Sequence, residues 1–228
     1  MLRNIDLSEI SDGRAYTCND MVKADCGGCQ GCSSCCQGMG HSIVLDPMDI
    51  FQLQSNLHLS FEELLDKYIE LQVVDGIILP NLKMSGSADA CAFLDGDGRC
   101  SIHSFRPGFC RLFPLGRYYE NDSFYYFLQV HECPKPNKSK VKIKKWLDIP
   151  NIKQYEDFII QWHYFLKRLQ EHATASALKA PEQDQSVKEL SLYVLKLFYM
   201  MPYSEQTDFY LQFERRLKKA MCDTESFL

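Results

Sequence analysis

The sequence predicts an α+β fold: a small, cysteine-rich, metal-stapled domain with short strands, followed by a helical C-terminal segment. Three observations carry this. Five cysteines crowd the run Cys26-Gly27-Gly28-Cys29-Gln30-Gly31-Cys32-Ser33-Ser34-Cys35-Cys36, which offers almost nothing apolar to bury. Between 77 and 130, short strand-like stretches alternate with turn residues. Beyond 150, apolar side chains recur at helical spacing.

Taken in order, residues 1–25 are polar and mixed and form an N-terminal extension over the fold. Residues 26–134 make the cysteine-cluster domain, which opens with the cysteine loop through Gly38-Met39-Gly40. His41-Ser42-Ile43-Val44-Leu45 reads as a short strand. Asp46-Pro47 starts a helix, because a capping residue followed by proline suits the first turn. Ser60 with Glu63 is a second start signal, a capping box. It opens a stripe at Phe61, Leu64, Leu65, Tyr68 and Ile69. Strands are expected at 77–79, 91–94 and 99–102, the last two joined by the turn Asp95-Gly96-Asp97-Gly98. A hairpin across Asn121-Asp122 joins 116–120 to 124–130. Residues 135–150 form a lysine-rich connector, with lysines at 135, 138, 140, 142, 144 and 145. The helical region is 151–228, with helices near 153–171, 185–200 and 204–221 packed on the first domain. Tyr155, Phe158, Ile159, Trp162 and Phe165 fit a core stripe there, as do Leu190, Tyr193, Val194 and Leu197.

Composition narrows the function. The 228 residues are 46% hydrophobic and 24% charged, enough apolar side chain for a real core. A net charge of −5 gives no basic excess to attract nucleic acid or an acidic membrane surface. No aromatic residues interleave the lysines of 135–145 to stack on bases, so that run reads as a solvated connector. There is no secretory apolar core at the N-terminus and no run long enough to span a bilayer. The expected location is the cytoplasm, where thiols stay reduced and eleven cysteines point to metal rather than disulfides. No phosphate-cradling glycine loop, nucleophile elbow or dinucleotide fingerprint occurs. The expected partner or substrate is a protein that the chain does not specify, with no nucleic acid and no membrane.

A three-residue step returns successive thiols to one side of a tight loop, where they can converge on an ion or cluster. Outside the run, Cys91 opens Cys91-Ala92-Phe93-Leu94. Cys100 and Cys110 sit in Cys100-Ser101-Ile102-His103-Ser104-Phe105-Arg106-Pro107-Gly108-Phe109-Cys110-Arg111-Leu112-Phe113-Pro114, and Pro134 follows Cys133. These pieces resemble the CxxCxxCC, or YkgJ-like, family of zinc- or iron-chelating domains. The resemblance spans roughly residues 26–134 and matches Cys29, Cys32, Cys35, Cys36, Cys91, Cys100, Cys110 and Cys133 as metal ligands. It departs from the family at Cys26, an extra thiol, and at His103, where tyrosine is usual. It implies a metal-binding domain, and a similarity to flagellin lysine N-methylases implies a methylase-like or redox enzyme.

Eight thiolates equal two four-ligand sites, or one large cluster with spare ligands; the adjacent pair Cys35-Cys36 diverges too much to serve one centre in the same way, which favours two centres or one bridged centre. One partition sets Cys29, Cys32 and Cys35 with Cys133, and Cys36 with Cys91, Cys100 and Cys110. Ligand type does not separate iron from zinc. One dense run followed by single cysteines is less like paired zinc knuckles, which favours [4Fe–4S], with zinc the alternative. Arg106 and Arg111 flank Cys110 and are candidates to offset the negative charge of a bound thiolate cofactor, against the competing reading of ordinary salt bridges. His103 and His41 have weaker claims as ligands. Cys26 is balanced between ligand and bystander, and Cys18 and Cys222 are structural or free. Metal removal is expected to unfold at least the N-terminal half.

Overall fold

The computed structural model describes residues 6–27, 32–179 and 184–225. Its elements run α1 (Leu7–Ile10), β1 (Met21–Asp25), α2 (Pro47–Leu57), α3 (Phe61–Lys67), β2 (Ile69–Val74), β3 (Ile77–Leu82), β4 (Met84–Ser85) and β5 (Ala90–Cys91). They continue with α4 (Gly108–Leu112), β6 (Leu115–Glu120), β7 (Ser123–Leu128), β8 (Ser139–Lys142), α5 (Ile143–Leu147), α6 (Ile152–Lys179), α7 (Asp184–Leu195) and α8 (Phe209–Thr224). The class is α+β, with four antiparallel two-stranded sheets among the described residues.

Two compact units form, interleaved in sequence. Val44–Asn81 and the described residues from Gln161 on make a helical unit. The described residues up to Ile43 and Leu82–Ile160 make a cysteine unit.

In the helical unit both expected helix starts form. The Asp46 carboxylate accepts from Asp49 N (2.9 Å) while Asp49 returns the bond to Asp46 N (3.0 Å). Ser60 and Glu63 do the same at α3. The stripe does not stay helical to its end: α3 stops at Lys67, and the β-branched Ile69 opens β2. Asp75 and Gly76 both take positive φ and close the β2–β3 hairpin. Gln170 Nε2 donates to Val74 O (3.1 Å), so a buried amide satisfies a strand-end carbonyl. The long helices surround Trp162, whose ring lies 4.9–6.1 Å from those of Phe165, Phe198, Tyr199 and Phe213. A π-helical turn over Lys196–Met200 ends α7, and Arg216 caps it by donating to the carbonyls of Leu197, Met201 and Pro202.

Two expected strands are absent. Within 41–45 only Val44 bridges, to Asn81, because Ser42 is spent in a turn on the Met39 carbonyl. Residues 99–102 give one bridge, Leu94 to Cys100, because Asp95 folds the chain back on itself through bonds to Asp97 N and Arg99 N. The hairpin at Asn121-Asp122 forms, both residues at positive φ, with Gly116 opposite Phe127.

The cysteine unit has its own apolar core of Tyr16, Val22, Ala24, Leu112, Leu115, Tyr126, Ile143 and Leu147. Two stretches that read as extension and connector supply five of these eight residues. β1 pairs with β8 through Val22 and Val141, and Ile143 and Leu147 lie on the buried side of α5. Lysines alternating with apolar residues made that stretch look solvated, yet alternation is what a half-buried strand requires.

Two predictions arise here. A Cβ at Gly116 would lie 2.2 Å from Phe127 Cζ, a distance no real contact allows. Gly116→Ala should therefore destabilise the cysteine unit by about 1–3 kcal/mol in urea unfolding. Phe127→Leu in the same chain should recover part of the loss; an unchanged midpoint in the single variant would refute the close approach.

The second concerns alkali. Burial pushes the Tyr126 phenol well above its ordinary range, Arg117 opposes this, and Glu156, which accepts its proton at 2.9 Å, adds to it. In the unfolded chain the phenol ionises near pH 10. Above that pH the unfolded state binds fewer protons than the folded one, so stability is full below about pH 10 and falls as pH rises. Tyr126→Phe should flatten the fall by up to about 1.4 kcal/mol per pH unit, read from urea midpoints between pH 9 and 11.5. An unaltered slope would refute it.

Candidate metal centre

The thiols reach one place by several short, independently anchored turns. Cys26 directly follows β1. Asp25 accepts from Gly27 N (2.9 Å) and from Ser139 Oγ (3.1 Å), which fixes the turn after that strand. Cys29 lies outside the described residues. Cys32 precedes a 3-10 turn over Ser34–Cys36, closed by Cys36 N on Ser33 O (2.8 Å) and braced by Gln37 Nε2 on Ser33 Oγ (2.9 Å).

Asp89 ties this turn to the next motif. Its carbonyl accepts from Gly38 N (2.9 Å), its carboxylate from Gly40 N (2.8 Å), and Gln37 bridges to Ala90. Cys91 ends β5, opposite Met84 of β4. Phe93 and Ile102 are buried, and Ser101 binds the Phe93 carbonyl through both its amide and its hydroxyl. The apolar third residue of Cys-Ala-Phe and Cys-Ser-Ile thus anchors each thiol from behind. Cys110 sits on α4, whose Leu112 enters the core of the unit. Cys133 is held through its carbonyl by Lys138 Nζ (2.8 Å).

These turns converge on a cavity of about 420 Å³. Its walls include Cys26, Cys32, Cys35, Cys36, Cys91, Cys100, Cys110 and Cys133, so every expected ligand among the described residues lines it, together with Cys26. Cys18 packs against the apolar core, and Cys222 is exposed on α8. The remaining wall is largely apolar and aromatic: Phe93, Phe109, Phe113 and Trp146 all contribute. Trp146 lies beyond the last cysteine motif, so nothing in the spacing marked it. Among the described residues, no three His, Cys, Asp or Glu side chains close on a common point as ligands would. The thiols line the walls, and coordination at about 2.3 Å per thiolate asks those walls to draw in.

The two candidate arginines part ways. Arg106 lines the cavity, its Nη1 at 3.0–3.1 Å from the ring nitrogens of His103 and 2.8 Å from the His103 carbonyl. Arg111 is not in the lining; its guanidinium donates to the carbonyls of Arg106, Leu147, Asp148 and Ser104 and so splints the loop that carries Cys110. His103 lines the cavity, whereas His41 does not. Burial, then Arg106 and Arg111, lower the His103 pKa, which keeps its ring neutral.

The electrostatics favour anionic sulfur at one point. A bond from the Cys36 thiol brings Cys35 down to about 7, and Arg106 adds to the effect. The same bond, with burial and the charges of Cys35, Cys100 and Cys110, raises Cys36. The adjacent pair thus shares one proton beside a guanidinium. Cys32 is lowered by the amide and hydroxyl of Ser34, and burial raises Cys91 and Cys100. Thiolates at this density suit a soft or borderline metal, zinc or iron with sulfide.

Residues 28–142 match the family model CxxCxxCC, described as a putative zinc- or iron-chelating domain. The chain belongs to the CxxCxxCC family. The matched stretch begins after Cys26 and ends at the last residue of β8, so the family covers the cavity-lining cysteines from Cys32 to Cys133 and supports metal binding there. Of the residues that line the cavity, Cys26 and Trp146 fall outside it. No solved structure matches the chain. No described helix is long and apolar enough to cross a membrane.

Proposed function

We propose that this CxxCxxCC protein carries an iron–sulfur cluster of the [4Fe–4S] type, used in electron transfer or in a protein-modification reaction such as lysine N-methylation. The observation that carries the reading is the number of thiols lining one cavity. A zinc ion takes four protein ligands, whereas eight described thiols line this cavity. A polynuclear centre uses that many ligands.

Such a cluster, when bound, supplies one-electron chemistry. The chain's own residues do the rest. Cys35 presents sulfur already partly ionised, held by a bond from the Cys36 thiol, and Arg106 offsets the charge the thiolates bring. Phe93, Phe109 and Trp146 keep water from one side of the thiols. The partly exposed Phe109 gives the site an apolar lip against which a protein substrate can rest. A reducing cytoplasm, which leaves thiols unpaired, suits this chemistry. The likeness in cysteine pattern to flagellin lysine N-methylases supports the modification arm.

Anaerobic purification followed by iron, sulfide and zinc analysis tests the proposal. A brown protein absorbing near ~400 nm with iron and sulfide in equal amounts is the expected result. A colourless protein with stoichiometric zinc and no iron, after oxidative loss has been excluded, overturns it in favour of a zinc-stabilised binding module.

A further inference from the structure

One cavity-lining thiol lies outside both the family match and the eight-cysteine pattern. Cys26 is half-buried and lines the same cavity as Cys32, Cys35 and Cys133. It stands one three-residue step before Cys29, so 26, 29, 32 and 35 form an unbroken C-x2-C-x2-C-x2-C series.

Its placement is built. β1 is fixed from behind by Val22 and Ala24, both buried, and laterally by β8, with Asp25 opposite Ser139. The Asp25 carboxylate then holds both Gly27 N and Ser139 Oγ, so the turn after Cys26 is clamped to β8 on one side. The residue before Ser139 is Lys138, which grips the Cys133 carbonyl. One end of one sheet therefore delivers two thiols, Cys26 and Cys133, to the same cavity. Cys18 shows what a bystander looks like in this unit: it packs on the apolar core, with burial and then Glu156 raising its pKa, and takes no part in the cavity.

We propose that Cys26 is a further thiolate ligand of the metal centre, beside the described thiols with which it shares the cavity. This rests on the metal reading above.

The test uses the full chain, purified anaerobically with its own metal. Brief alkylation with iodoacetamide, before and after the metal is removed by chelation, is mapped by peptide mass spectrometry. Cys26 should be protected by the metal as strongly as Cys32 and Cys91, about tenfold or more, while the exposed Cys222 is not. Alkylation of Cys26 at the Cys222 rate with the other cavity thiols still protected overturns the proposal and leaves the metal reading intact. Loss of protection at all cavity thiols overturns both.

Protection by burial rather than ligation is separated by a second measurement. Cys26→Ser should release metal to EDTA about tenfold faster or more, at least what removal of an outer-shell partner costs at other metal sites. Cys18→Ser should leave the release rate unchanged. Equal release by wild type and Cys26→Ser overturns the proposal.

Discussion

Stripping the metal should melt the cysteine loops and leave both apolar cores standing. The loops over 32–43 and 84–113 have few deeply buried apolar residues of their own: Ile43, Phe93 and Ile102, with Leu112 already part of the core. Their other inward groups are half-buried thiols, which contribute little without a metal, and partly buried side chains such as Met39, Met84 and Phe113 that line the cavity rather than a closed core. Structural metal in small cysteine sites contributes about 10–16 kcal/mol of folding free energy. Amides in these loops should accordingly lose at least about 10³-fold of their hydrogen-exchange protection on chelation, about 4 kcal/mol. Amides of β6, β7 and α5 should stay within a few-fold, because Tyr16, Val22, Leu115, Tyr126, Ile143 and Leu147 pack without any ligand. Hydrogen exchange read by mass spectrometry, with and without chelator, checks this. Equal loss across the loops and the core would refute it, and so would no loss anywhere. The expectation differs from unfolding of the whole N-terminal half. Residues 44–81 bury Ile50, Leu53, Phe61, Leu64, Ile69 and Ile77 in the helical unit, where no motif thiol takes part.

What the sequence disclosed followed how local each signal was. Asp46-Pro47, Ser60 with Glu63, and Asn121-Asp122 each encode their element within four residues, and each element formed there. The cysteine motifs were legible because ligand chemistry leaves a spacing that packing does not blur. The β1–β8 sheet was not legible, because it joins Val22 to Val141 across more than a hundred residues and neither strand announces a partner. The interleaving of 44–81 with the C-terminal helices was hidden for the same reason: Tyr199 donates to Leu45 O (3.0 Å) and Ser191 accepts from Ile78 N (3.3 Å), contacts with no local trace. Arg111 shows the converse limit. Its place beside Cys110 suggested a charge partner, but four carbonyls converge on its guanidinium, and convergence of that kind exists only in three dimensions. Trp146 likewise reaches the cavity wall from α5, its indole anchored on the Phe113 carbonyl at 3.2 Å.

Trp162→Ala should be the most damaging single core substitution in the helical unit, costing about 3–5 kcal/mol. The side chain is 5% exposed, so nearly all of its apolar area is withdrawn from water. Its ring meets four others, Phe165, Phe198, Tyr199 and Phe213, drawn from α6, the π-helical turn and α8. Alanine would leave a void the size of an indole. The neighbours cannot collapse into it, since Phe198 is already in contact with Phe165 and Phe213 and Tyr199 is tethered to the Leu45 carbonyl. Trp162→Phe keeps a ring at the same hub and should recover more than half of the loss. Urea unfolding followed by far-UV circular dichroism, which reports the long helices, reads both variants. A cost below about 1.5 kcal/mol for the alanine variant would mean that the cluster relaxes around the void. Equal costs for alanine and phenylalanine would instead assign the effect to the indole itself rather than to the space it fills, because phenylalanine restores most of the volume and none of the N–H.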